Sequence, residues 1–240
     1  MKRVFEALWS LLIWIIALPV FAVCCLLILA LAVVHRGPGM DALMKASCRL
    51  VLFCCGIRVR LRGERNIVPD SRYIVMMNHV NIFDPLVFYS RFPRLARGIE
   101  EESHFRWPLY GAVLRRIGMV PISRTDVSKA RESILRAADL AREHREYSIV
   151  ILPEGTRTLD GKLGPFKRGG IHLALETGLD ILPVVQVGAY RISRKGSRLI
   201  RPGRVELVVC PPIQITGYAR ETVGDLADRT RSVFLERLGA

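Results

Sequence analysis

The sequence predicts an α/β fold: a mostly parallel or mixed sheet flanked by helices, carrying an N-terminal hydrophobic helical membrane anchor. Two observations predict it. Short apolar runs such as Ile74–Met77, Ser148–Leu152 and Ile181–Val187 alternate with stretches of helical periodicity, the pattern of a sheet covered on both faces. The first 56 residues, by contrast, are dominated by apolar sequence. A chain of 240 residues suits one domain of ordinary size with an appendage. The expected division is an anchor over residues 1–56 and an α/β domain over residues 57–240.

The anchor comes first. From Ala7 to Val34 no charged residue occurs, and only Ser10 and Pro19 interrupt the apolar run. That exceeds the roughly 20 residues that cross a bilayer as a helix. It is also about twice the apolar core of a signal peptide. Pro19 divides the run into halves too short to span alone. Two geometries follow: a tilted spanning helix kinked at Pro19, or two shorter helices dipping into one leaflet. Lys2 and Arg3 precede the run and Arg36 follows it, so flanking charge sets no orientation. Arg36–Gly39 reads as a loop, and Leu50–Cys55 as a second apolar patch that packs on the first segment or lies in the interface.

The domain follows in order. Ile57–Leu61 alternates like a half-exposed strand, and Ile74–Met77 is a short buried one. Asp84 before Pro85 reads as a helix cap and first helical position, with the helix running to Tyr89. Leu109–Ile117 is a helix entered through Pro108 and closed by Gly118; Met119–Ile122 is extended. Asp126–His144 is a long helix with Val127, Ala130, Ile134, Ala137 and Ala141 on one stripe. Ser148–Leu152 is an apolar strand cut by Pro153, and a helix near Gly170–Glu176 is closed by Gly178. Ile181–Val187 and Val205–Cys210 are further strands, and Gly224–Leu238 is the terminal helix.

Charge narrows the partners. With 36 Lys and Arg against 22 Asp and Glu the net charge is +14, which points to nucleic acid, a membrane surface or a phosphorylated substrate. Five of the six cysteines lie in the apolar N-terminal sequence and none has zinc-ligand spacing. Neither a disulfide framework nor a metal site is expected, and a reducing compartment suits the chain.

Four clusters carry chemistry. His79 and Asp84 lie five apart on the loop between a strand and a helix, where α/β proteins place their sites. A turn that folds the imidazole back onto the carboxylate makes a general base; the bland alternative is a cap beside a solvated histidine. Glu154-Gly155-Thr156-Arg157 follows the most apolar strand, where glycine frees the backbone to face a ligand and Arg157 offers a fork for phosphate. Arg124 stands just past a short strand, and Lys167-Arg168 precede a helix N-terminus, itself a favoured anion site. Singly each has an ordinary surface reading; together, in a basic membrane-attached chain, they point to a site for an anionic substrate.

Asn78-His79-Val80-Asn81-Ile82-Phe83-Asp84 resembles the Asn-His-x-x-x-x-Asp block of the glycerolipid acyltransferases, most of all the bacterial 1-acylglycerol-3-phosphate acyltransferases. Gly118–Arg124 is similar to the second block of that family, Leu152–Arg157 to the third, Phe166–Gly169 to its basic turn and Ile181–Val184 to the fourth. All stand in family order between about residues 60 and 212. One departure is Asn81, where many members carry Ser.

The resemblance implies acyl transfer from a thioester, borne by coenzyme A or acyl carrier protein, to the free hydroxyl of lysophosphatidic acid. His79 would be the base and Asp84 its orienting partner. Asn78, Glu154, Gly155 and Thr156 would line the substrate and oxyanion position. Arg124, Arg157, Lys167 and Arg168 would hold the phosphate. No cofactor is implied; the partners are membrane lipids, and the place is a bacterial inner membrane with the domain facing the cytoplasm. Another lyso-lipid, such as lyso-ornithine lipid, is the near alternative acceptor. A membrane-tethered nucleic-acid binder lacks a recognised module here, and a serine hydrolase lacks its Gly-x-Ser-x-Gly elbow.

Overall fold

The computed structural model describes residues 2–34, 38–123 and 125–239. Its strands are β1 Ile57–Arg62, β2 Ile74–Met77, β3 Ala96–Glu101, β4 Val120–Ile122, β5 Ser148–Ile151, β6 Ile181–Val187 and β7 Gly203–Val209. Its helices are α1 Lys2–Val34, α2 Pro38–Cys54, α3 Asp84–Arg91, α4 Tyr110–Arg116, α5 Val127–Glu143, α6 Gly169–Thr177, α7 Ala189–Ile192 and α8 Val223–Leu238. The strands form one sheet in the order β1-β7-β6-β2-β5-β3-β4. β6, β2, β5, β3 and β4 run parallel, while β7 pairs antiparallel with β6 and parallel with β1. The sheet is therefore mixed, and β2 lies inside it with parallel neighbours on both sides.

Both faces of the sheet are covered, and the two-residue alternation of each strand splits the core accordingly. Val75 and Met77 join one cluster with residues of α1, α2, α3, α4 and α7. Ile74 and Met76 join the other with α5, α6 and α8. The expected stripe of α5 supplies Ile134, Ala137 and Ala141 to that second core.

The apolar N-terminus is one helix with Pro19 inside it, rather than two. It packs along its length on the domain. Arg201 pairs with Glu6 at 2.9 Å, Ser10 exchanges hydrogen bonds with the backbone of Ile200, and the Trp14 indole donates to Arg198 O at 2.8 Å. Further on, Ile13, Ala17, Cys25, Ile28 and Ala32 belong to the same core as β2. The opposite side of the helix leaves Leu8, Leu12, Ile15, Leu26 and Leu27 exposed.

The stretch before Leu50 departs from expectation, because Pro38–Cys54 is a continuous amphipathic helix rather than a loop followed by a patch. Met40, Met44, Cys48 and Leu52 face the core, a period-four stripe hidden in the sequence by interleaved charges. One of those charges, Asp41, is buried against Arg97 of β3 at 2.8 Å, and the guanidinium lies over the Tyr147 ring. A buried ion pair thus ties α2 to the sheet. The boundary expected at residue 56 falls between α2 and β1, but packing crosses it freely.

Candidate active site

β2 ends in parallel register beside β5 and β6, and the chain turns at Asn78 into α3. Asn78 is buried and extends the β2–β6 pairing through its side chain. Its amide donates to Gln186 O at 3.1 Å, and its carbonyl oxygen accepts from Gln186 N at 2.8 Å. Asn81 then shapes the turn. Its side-chain oxygen accepts from Phe83 N, a local turn mimic, while its amide donates to Ala189 O of α7. The result brings the five-residue spacing to a contact: His79 Nδ1 donates to Asp84 Oδ2 at 2.7 Å. Asp84, expected as a cap, is instead the first residue of α3 and is fully buried.

Asp84 is gripped from several directions. Val80 N donates to Oδ2 at 2.7 Å, Asn81 N to Oδ1 at 3.0 Å, and the Gln186 side-chain amide to Oδ1 at 2.7 Å. With Nδ1 donating to the carboxylate, Nε2 of His79 is the acceptor nitrogen. It has no hydrogen-bond partner among the described residues, and His79 lines a large cavity.

That cavity, about 1060 Å³, runs along the C-terminal ends of the parallel strands. Trp14, Ala17, Leu18 and Phe21 of α1 line one side, with Val51 and Cys55 beside them. Ile122, Ser123, Leu152 and Pro153 follow at the strand ends, and Arg157, Lys167 and Gly155 line it as well. A narrower apolar extension continues from Phe21 and Leu86 between α1, α2 and α4.

The turn after β5 explains several expected residues. Gly155 has φ of 67°, in the left-handed region, and Lys167 lies so close that a β-carbon at Gly155 would meet its Cε at 2.9 Å. Glycine therefore lets the lysine cross the turn into the cavity. Glu154 is buried and does not line the cavity. Its carboxylate accepts from His79 N at 2.6 Å and Gly164 N at 3.0 Å, so it fixes the loop that carries His79. Burial pushes its carboxyl above the usual range, and those two amides oppose the push.

Several of the expected groups make other contacts in the structure. The Gly155 amide, expected to face an oxyanion, donates to Leu152 O instead. Asn78 is buried, bonds the Gln186 backbone and does not line the cavity. Thr156 is exposed and accepts from Lys195 Nζ at 2.8 Å, outside the cavity wall. Arg168 is exposed and does not line the cavity either, whereas Lys167 does. Arg124 lies outside the described residues. Gln186 was missed altogether: the run Val-Val-Gln-Val reads as an apolar strand, and its one polar residue is the only signal.

The comparisons with known proteins agree with this architecture. Residues 58–187 match the acyltransferase family model. The chain is 30% identical over 239 residues to the 1-acyl-sn-glycerol-3-phosphate acyltransferase alpha of Mus musculus, covering 98% of this chain and 79% of that protein. It is 28% identical to the 1-acyl-sn-glycerol-3-phosphate acyltransferase of Limnanthes douglasii, over 80% of this chain and 67% of that one. A bacterial relative of the same name, from Borreliella burgdorferi, is 36% identical over 59% of this chain and 56% of its own. In fold, the chain is similar to the crystal structure of the 1-acyl-sn-glycerophosphate (LPA) acyltransferase PlsC from Thermotoga maritima, with a TM-score of 0.83 over 98% of this chain and 95% of that one at 22% identity. A family match over more than half the chain, a relative aligned nearly end to end and a shared fold lead to one conclusion: this chain belongs to the acyltransferase family.

Proposed function

We propose that the protein transfers a fatty acyl group from an acyl thioester to the free hydroxyl of 1-acylglycerol-3-phosphate, giving phosphatidic acid. The observation that carries this reading is the Nε2 of an Asp84-held His79, unpartnered among the described residues, beside a cavity whose walls are apolar at α1 and cationic at Arg157 and Lys167. A lysophospholipid has that same division, chain and phosphate. The names of the relatives support the acceptor class.

Each step assigns itself to a group. His79 Nε2 takes the acceptor hydroxyl proton as the oxygen attacks the thioester carbonyl. Asp84 holds the ring and stabilises the imidazolium that forms. The tetrahedral intermediate collapses with loss of the thiolate, which receives the proton from His79. A carbon–oxygen bond replaces a carbon–sulfur bond, and no enzyme nucleophile is needed. Arg157 and Lys167 hold the phosphate; the thioester comes from coenzyme A or acyl carrier protein.

The domain packs on α1 from Glu6 to Ala32, which favours a helix lying within one leaflet over one crossing the bilayer. A crossing helix would drag the attached polar surface into hydrocarbon. The acceptor then enters the cavity sideways from the membrane. The purified protein in detergent, offered lysophosphatidic acid and lyso-ornithine lipid with one acyl-coenzyme A, tests the reading by mass spectrometry. Consumption of lysophosphatidic acid supports it; consumption of the phosphate-free acceptor alone overturns it.

A further inference from the structure

A second cationic concavity lies away from His79. It measures about 570 Å³ and is lined by Lys45 and Arg49 of α2, Arg60 of β1 and Arg91 at the end of α3, with Glu64 the one acid in its wall among the described residues. It shares no lining residue with the cavity that holds His79, Arg157 and Lys167. The plain explanation of these cations is that they cap α3. It accounts for part of them: Lys45 Nζ donates to Pro93 O at 3.1 Å and Arg49 Nε to Ser90 O at 2.8 Å. It leaves Arg60 unexplained. That residue is exposed on β1, at the edge of the sheet, between Arg58 and Arg62, which are exposed on the same side. Arg62 is paired with Glu206, while Arg60 and Arg91 hold no ion pair among the described residues.

The neighbourhood indicates the occupant. On α2 the exposed stripe runs Ala42, Ala46, Arg49, Leu50 and Phe53, so Arg49 continues directly into two bare apolar side chains. Phe53 is 79% exposed and Leu50 48%. A cation beside an aromatic on one helix stripe, with further cations in the adjoining groove, is an arrangement that sits at a bilayer surface, the ring among the acyl chains and the charges at phosphate level. An acidic protein would match the charge but leave Phe53 and Leu50 without a reason.

We infer that the groove formed by Lys45, Arg49, Arg60 and Arg91 binds the phosphate head group of an anionic membrane lipid that is not a substrate. Lys45 and Arg49 keep donors free beyond those used on α3, and Arg60 and Arg91 supply the unpaired charge. Such a lipid fixes α2 at the surface and sets the depth at which the catalytic cavity opens. This inference stands independently of the acceptor assigned above.

The test uses the full-length protein in nanodiscs of phosphatidylcholine with and without phosphatidylglycerol. Lipids retained by the released protein are counted by native mass spectrometry. Wild type should retain phosphatidylglycerol in preference to phosphatidylcholine. The double variant Arg60→Glu and Arg91→Glu should lose that preference by roughly tenfold or more, since each cation at an anionic surface is worth about fivefold in affinity. Its turnover on acceptor dispersed below the micellar concentration should stay unchanged, which also reports that it folds. The double lysine variant should keep the preference, because a head group needs charge at this depth rather than a fork. Equal retention of both lipids by wild type overturns the inference. So does displacement of phosphatidylglycerol by inorganic phosphate at equal concentration, which would mark a free-phosphate site. A variant that keeps its lipid preference but loses turnover only with acyl carrier protein as donor would reassign the groove to protein docking.

Discussion

Asp84 accepts hydrogen bonds from His79, Val80, Asn81 and Gln186, and this crowding decides how the imidazole is presented. The Gln186 contribution has a visible consequence. Its amide nitrogen faces Asp84 Oδ1 and Asn78 O, which leaves its own oxygen buried without a partner among the described residues. The reverse orientation would set oxygen against carboxylate. An orphaned acceptor costs about 1–3 kcal/mol, so the contact to Asp84 outweighs it. Gln186→Leu should therefore lower kcat by roughly tenfold, the worth of a lost charge-assisted bond, with little change in KM. Steady-state kinetics at fixed donor check this; a changed KM with intact kcat would make Gln186 merely structural. Arg157→Lys should do the opposite, raising KM for the acceptor and sparing that for the donor, because a point charge does not replace a bidentate fork. Glu154 offers a pH signature. Its carboxyl is pushed up by burial, so its contribution to stability is full below the ordinary carboxylate range and lost as pH rises through the raised value. The melting-temperature advantage of wild type over Glu154→Gln should shrink as pH rises from about 4 towards neutrality. An advantage that grows would contradict the sign of the shift.

At the scale of elements, α1 is part of the domain and of its cavity. Ala17, Leu18 and Phe21 wall the cavity, and Ile13, Ile28 and Ala32 complete the core beneath it. Deleting residues 1–36 should therefore abolish turnover even on acceptor below its micellar concentration, and expose apolar surface that aggregates. A soluble, active truncation, measured by product mass spectrometry, would restore a simple anchor. The Asp41–Arg97 pair is the other structural hinge. Asp41→Ala strands a buried guanidinium and should destabilise the fold by about 3–5 kcal/mol in denaturant titration. Much of this scale was legible in the sequence. β2, β5 and β6 are short apolar runs, α5 has a clear stripe, and glycines close α4 and α6. β3 was not legible, because Ala96-Arg97-Gly98-Ile99-Glu100-Glu101 has neither an apolar run nor alternation and owes its place to pairing with β4 and β5. α2 was hidden by Asp41, Lys45 and Arg49, all three of which make tertiary contacts no periodicity encodes. The antiparallel turn of β7 depends on the path between α7 and β7, and the strand pattern is the same in either direction.

Across the whole molecule, the dyad was readable as a spacing and the cation cluster as a composition, yet their meeting was not. His79, Arg157 and Lys167 share a cavity because β2 and β5 are adjacent and parallel, so the loops at their C-terminal ends face the same way. α1 lines the same cavity, so an apolar wall and the cations Arg157 and Lys167 flank His79. Lipid chain, phosphate and reacting hydroxyl then each have a fitting surface. The central claim is that His79 takes the acceptor proton, and its most direct test is turnover of the purified His79→Ala protein with acyl-coenzyme A and lysophosphatidic acid. A folded variant, checked by circular dichroism, should lose at least roughly a hundredfold in kcat while still binding acceptor; near-wild-type turnover by that variant would contradict the account.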